Sequence, residues 1–144
     1  MTVEEIKIEI HFALLELYKY EGDLIANRTD ERTIAAHLAC YLKPHFSEWR
    51  VDTEYNRDGI ETKEDTQGNP IFPDIIIHHR TPQRELRYSP ENNLIALEVK
   101  GYWNKKDRAI DRRKLIDIKK RFGYQYIFRI ELDKNRGEII EECS

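Results

Sequence analysis

The chain has 144 residues, the usual size of one domain that closes around one core without staples. Charged residues make up 35% and hydrophobic residues 40%, and the apolar ones are patterned, which excludes a disordered chain. The net charge of −3 argues against a protein that grips nucleic acid through its whole-body field, so any such contact needs a local basic patch. The two cysteines, Cys40 and Cys143, have neither zinc spacing nor the look of a disulfide framework. They are read as a buried thiol and a tail thiol in a reducing compartment. The first residues lack the basic and apolar regions of a signal peptide, and no apolar run approaches the ~20 residues of a membrane span. The expectation is a cytoplasmic protein with no membrane partner.

In chain order, residues 3–20 place Ile6, Ile10, Ala13, Leu14 and Leu17 on one face at helical period, and Gly22 marks the expected end. A second helix is predicted from Asp30 to Leu42, with Thr29 as N-cap and Pro44 after its end. Its stripe is Ile34, Ala35, Leu38, Ala39 and Leu42, and Glu31 shares that inward face. Strands are predicted at 49–56, 72–78 and 94–100, separated by polar connections at 57–70 and 79–92. A helix over 104–122 follows, anchored by Ile110, Leu115, Ile118 and Phe122. A strand at 124–132, a turn at 134–137 and a short fifth strand complete the chain. A helix between the third and fourth strands implies a parallel crossover. The prediction is one domain over 1–144, an α/β three-layer sandwich with a mixed central sheet.

The chemistry-bearing residues sit at strand ends. Asp74 follows Pro73 at the start of one strand, and Glu98 and Lys100 close the next. A spacing of two puts Glu98 and Lys100 on one face. They follow Leu94, Ile95, Ala96 and Leu97, so both charges are costly there unless paired or used. If the strands are neighbours, Asp74 and Glu98 approach each other, and a divalent cation relieves their repulsion. Oxygen-only donors suit Mg²⁺ or Mn²⁺. Lys100 is placed to serve an attacking water and to offset transition-state charge. Glu31, inward on its helix, is the candidate third metal ligand.

The run Phe72-Pro73-Asp74-Ile75-Ile76-Ile77, followed by Leu97-Glu98-Val99-Lys100, resembles the signature of the PD-(D/E)XK nuclease superfamily. That superfamily includes restriction endonucleases, repair nucleases and Holliday-junction resolvases. The resemblance implies a restriction endonuclease-like αβββαβ core over 29–132, with an extra N-terminal helix at 1–22. It implies a Mg²⁺-dependent (or Mn²⁺-dependent) nuclease acting on DNA, with Asp74 and Glu98 as metal ligands and Lys100 serving the attacking water. It also points to Glu31, because many members carry a metal-related Glu on the first core helix. The helix at 104–122 then supplies candidate phosphate contacts: Lys105, Lys106, Arg108, Arg112, Arg113 and Lys114. A basic residue of this helix points to the active site in some similar nucleases, which singles out Lys114.

Each assignment has a plainer counterpart. Glu98 and Lys100 suit a same-face ion pair, Asp74 a turn residue, and Glu31 a residue favoured by the helix dipole. The basic helix suits a solvated face. Tyr102 and Trp103 suit a base-stacking platform or, more commonly, the rim of a core. His78 and His79 suit structural histidines, and Arg57 a phosphate contact by position alone. The alternative function is a non-catalytic nucleic-acid-binding or accessory protein on the same fold. A homodimer, which would set two sites on two strands, is left open.

Overall fold

The computed structural model describes residues 1–53, 57–58, 61–62, 73–86 and 88–142. The first helix, α1 (Val3–Ala26), is capped by Thr2, whose hydroxyl accepts from the Glu5 N–H at 3.2 Å. Its predicted stripe is buried throughout. The helix does not stop at Gly22. The backbone departs from helical angles at Glu21 (φ −124°, ψ 20°) and then continues to Ala26. Full burial of Ile25 beyond the kink outweighs the roughly 1 kcal/mol that a helical glycine costs. The second helix, α2 (Glu31–Leu42), is capped by Asp30 rather than Thr29. The Asp30 carboxylate accepts from Thr33 N and Thr33 Oγ1, both at 2.9 Å, stronger bonds than a neutral hydroxyl offers. Pro44 lies in a short 3₁₀ turn, Lys43–Phe46, which buries Phe46.

The strands are β1 (Arg50–Thr53), β2 (Arg57–Asp58), β3 (Glu61–Thr62), β4 (Ile75–His78), β5 (Asn93–Gly101), β6 (Tyr126–Leu132) and β7 (Gly137–Glu141). Among the described residues β2 and β3 pair with each other, within the region predicted as a polar connection. The other five form a mixed sheet in the order β1-β4-β5-β6-β7. β5 and β6 are parallel and the remaining pairs antiparallel, so the predicted crossover through the third helix, α3 (Arg108–Phe122), is present. The fifth strand of the sheet, β7, forms as expected.

Period-two alternation divides the sheet between two cores. Ile75, Ile77, Ile95, Leu97, Val99, Phe128, Ile130 and Leu132 pack with the stripes of α1 and α2. On the other face Ile76, Ala96 and Ile127 meet Leu115, Ile118 and Phe122 of α3. The described structure is thus an α/β arrangement with helices on both faces of a five-stranded mixed sheet.

Two predicted core positions are corrected. Ile110 is 55% exposed, because it precedes Leu115, Ile118 and Phe122 by five, eight and twelve, which turns it off their stripe. Cys40 is exposed, since it lies off the inward stripe of α2. Gly123 ends α3 at φ 75°, donating its N–H to Lys119 O at 3.0 Å; a Cβ there would stand 2.3 Å from Tyr88 O. Among the described residues no helix is long and apolar enough to cross a membrane.

Candidate active site

The register Ile75↔Leu97 sets Asp74, one residue before β4, beside Glu98 on β5. Asp74 lies just outside the strand and replaces a ladder bond: its Oδ2 accepts from the Val99 N–H at 2.7 Å. Glu98 shares the face of Ala96, beneath α3, and is 1% exposed. The two carboxyl groups hydrogen-bond to each other. Burial, and then the charge of Asp74, push the Glu98 carboxyl up to about 8. Burial also raises Asp74, while the Val99 N–H, the Glu98 bond and the ammonium groups of Lys114 and Lys100 oppose that rise. Near neutral pH the metal-free pair therefore retains a proton.

Two ammonium groups complete the cluster. Lys114 Nζ of α3 lies 2.8 Å from Glu98 Oε1. That oxygen is buried, and the Lys114 ammonium is the cation that meets it. Lys100 Nζ lies 3.1 Å from Asp111 Oδ1, with both side chains largely buried. Burial disfavours the Lys100 ammonium. The bond to Asp111 and its charge, followed by the charges of Glu98 and Glu31, more than compensate and hold it above the ordinary lysine value.

Asp111 is the residue that sequence reasoning missed. In the sequence it stands within the basic run of the helix and draws no attention as a site residue. The signal was present: Asp111 precedes Leu115, Ile118 and Phe122 by four, seven and eleven, which places it on the inward stripe of α3.

Glu31 reaches the same end of β5 from the α2 side. Its Oε2 accepts from the Gly101 N–H at 2.6 Å, and its Oε1 from Asn104 Nδ2 at 2.9 Å. The carboxylate thereby fixes the turn that follows the strand. Asp74 and Glu98 stand together, whereas Glu31 is engaged at Gly101 and Asn104. Among the described residues no three His, Cys, Asp or Glu side chains are gathered as one ligand cluster.

The six candidate phosphate contacts divide into two groups. Arg108 Nε pairs with Glu131 Oε2 at 2.8 Å, and Arg112 Nε with Glu142 Oε2 at 3.2 Å, while Lys114 meets Glu98. Arg129 joins Glu131 to Glu142 beneath the helix. These three cations of α3 therefore face the acids of the sheet, although Arg112 keeps half of its side chain in solvent. Lys105, Lys106 and Arg113 are exposed.

The aromatic and histidine candidates take their plainer roles. Trp103 covers Gly101, where a Cβ would come within 2.5 Å of its ring, and Tyr102 meets it edge-on at 5.1 Å. Both are partly buried against the larger core. His78 Nε2 lies 2.6 Å from Asp52 Oδ2, and Arg80 binds the same carboxylate. Burial works against the Asp52 charge, but His78 and Arg80 hold it far below the usual carboxylate range. His79 stacks on Trp49 at 3.9 Å. Tyr55, Asn56, Phe72, Cys143 and the side chain of Arg57 lie outside the described residues.

Comparison with protein-family models, with curated proteins and with solved structures found no match to this chain.

Proposed function

We propose that this protein is a divalent-metal-dependent nuclease that hydrolyses phosphodiester bonds in DNA, on a restriction endonuclease-like version of the α/β fold. The observation that carries this reading is the carboxyl pair of half-buried Asp74 and buried Glu98 beside Lys100, at the ends of two neighbouring strands. Such a pair is costly in a core, and here it holds a proton that a cation would replace. The donor set fits Mg²⁺ or Mn²⁺ by its chemistry: two adjacent carboxyl groups that offer oxygen donors alone. Asp74 and Glu98 would hold the ion, with Glu31 the third carboxylate at this strand end. A bound ion supplies Lewis acidity towards a phosphoryl oxygen and acidifies water.

The protein's own groups do the rest. The Val99 N–H fixes one oxygen of Asp74 and leaves the other for binding. Asp111 occupies one side of the Lys100 ammonium, which keeps further N–H donors for the attacking water and for charge developing on phosphate. Lys105, Lys106 and Arg113 are available to the nucleic-acid backbone, a contact that weakens with salt.

The test is cleavage of labelled single-stranded, duplex and branched DNA in Mg²⁺, Mn²⁺ or EDTA. Wild type is compared with Asp74→Ala, Glu98→Ala and Lys100→Ala. Metal-dependent cutting should fall by about 10²–10⁴-fold in each variant, with circular dichroism unchanged. Mn²⁺ should raise the wild-type melting temperature, and less so in the two carboxylate variants. If all three variants cut as well as wild type, the site assignment is wrong. No cutting of any substrate, and no stabilisation by Mn²⁺, would favour a binding or accessory protein instead.

A further inference from the structure

The buried stripe of α1 does not use all of its large apolar residues. Ile8, Phe12 and Leu15 are 53%, 48% and 53% exposed. Their spacing of four and three makes a second stripe, on the side of the helix opposite Ile6, Ile10, Ala13 and Leu17. Single exposed apolar residues are ordinary, but three on one ridge form a patch. Continuing the ridge at the same spacing reaches Glu5 at one end and Lys19 at the other. Both are exposed, and neither is ion-paired among the described residues.

We propose that this face of α1 is a homodimer interface, formed by antiparallel packing against α1 of a second copy about a two-fold axis at Phe12. The argument is self-complementarity. A two-fold interface requires that if residue i meets j, then j meets i. Antiparallel helices centred on residue 12 bring position n opposite 24 − n. Phe12 then meets its own counterpart, Ile8 falls beside Leu15 of the partner subunit, and Glu5 faces Lys19 of the partner subunit. An apolar centre closes under an opposite-charge pair at each end. The parallel arrangement sets Glu5 against Glu5 and Lys19 against Lys19, which disfavours it.

The rest of α1 is fixed for this task. The Tyr18 hydroxyl donates to Asp133 O at 2.6 Å and Lys7 pairs with Glu141 at 3.8 Å, which tie the helix to the β6–β7 hairpin. The ridge is thus presented by a docked helix, so little ordering is lost on association. One helix face buries less than the ~800 Å² per partner of a standard interface, which places the dimer in the weak, micromolar range. α1 packs against the sheet face opposite α3, so the proposal is independent of the nuclease reading.

Sedimentation equilibrium of the full chain from micromolar to millimolar concentration tests it. Wild type should show a concentration-dependent monomer–dimer equilibrium, and Phe12→Asp should be monomeric with an unchanged circular dichroism spectrum. Glu5→Lys and Lys19→Glu should each weaken the dimer by about five- to tenfold, and the double variant should restore it. In a Cys40→Ser, Cys143→Ser background, Phe12→Cys should oxidise to a covalent dimer, whereas Asp23→Cys, far from the axis, should not. A monomer at every concentration would leave the ridge to a foreign partner and overturn the proposal. A dimer that Phe12→Asp does not dissociate, or charge variants that the double reversal does not rescue, would overturn it equally.

Discussion

The two faces of the sheet are built on different principles. Towards α1 and α2, the inward side chains of β4, β5 and β6 are aliphatic or aromatic along their whole length. Towards α3 the strands change character halfway. Ile76, Ala96 and Ile127 meet Leu115, Ile118 and Phe122, and beyond them Glu98, Lys100, Glu131 and Glu142 meet Lys114, Asp111, Arg108 and Arg112. Burial of apolar area stabilises without direction. Burial of charge costs free energy unless each group has its partner, and removal of one partner strands the other. The dry face is therefore where stability resides, and the ionic half of the other face is where a polar arrangement is retained at a cost. That contrast is itself a reason to look for function there.

The largest effect expected is on the dry face. Leu97→Ala should destabilise the protein by about 2–5 kcal/mol in urea unfolding, through lost transfer energy and the cavity left behind. It should leave the carboxyl pair in place, so activity per folded molecule should be kept. A large loss of activity in folded Leu97→Ala would show that the two faces are not separable.

Asp111→Asn probes the ionic half. It keeps the shape of the side chain but removes the charge that holds Lys100. With nuclease activity as the readout, kcat should fall about 10–100-fold with KM little changed, the usual cost of losing a residue that orients a catalytic group. Asp111→Glu should recover part of it. Leu115→Ala, on the same helix but in its apolar half, controls for stability alone: it should lower the melting temperature and leave kcat where it was. If the two variants lose kcat alike at a temperature where both are folded, Asp111 is structural only.

The smallest effect is a slope with pH. Glu98 ionises at about 4.5 unfolded and about 8 folded. Between those values the folded state binds more protons, so its contribution to stability is full below 4.5 and is lost as pH rises through 8. The raised Asp74 acts in the same direction. Burial disfavours the charged form of His45, but Glu16 and Glu9 hold its pKa above 6.5, so it also contributes stability that is lost as pH rises. Asp52, held low, matters only in acid. In EDTA, the urea midpoint should therefore decline from pH 5 to pH 8. Glu98→Gln should decline less, with only the His45 part and the remaining Asp74 part left. Parallel curves for the two proteins would mean that the carboxyl pair is not strained.

The sequence by itself determined the local and periodic features. The stripe of α1 followed from 3.6-residue spacing, the strand cores from β-branched runs, and the shared face of Glu98 and Lys100 from a spacing of two. The parallel crossover followed from a helix standing between two strands. Only the tertiary structure decided what depends on who faces whom. The spacing of α3 already sets Asp111 in line with Leu115, Ile118 and Phe122 and turns Ile110 off that line, but the partner Asp111 meets, the Lys100 ammonium, was set by the packing of α3 on β5. The basic run of α3 was visible as composition. That Arg108, Arg112 and Lys114 turn to the sheet was decided by Glu131 and Glu98 on its strands and Glu142 just after β7, two of them remote in sequence from the helix residues they meet. Glu31 was rightly placed on the inward face of α2, but its partners Gly101 and Asn104 lie seventy residues on, set by packing between layers. Periodicity assigns a side chain to a face; the charge it meets there depends on contacts between segments far apart in the chain, which no local pattern encodes.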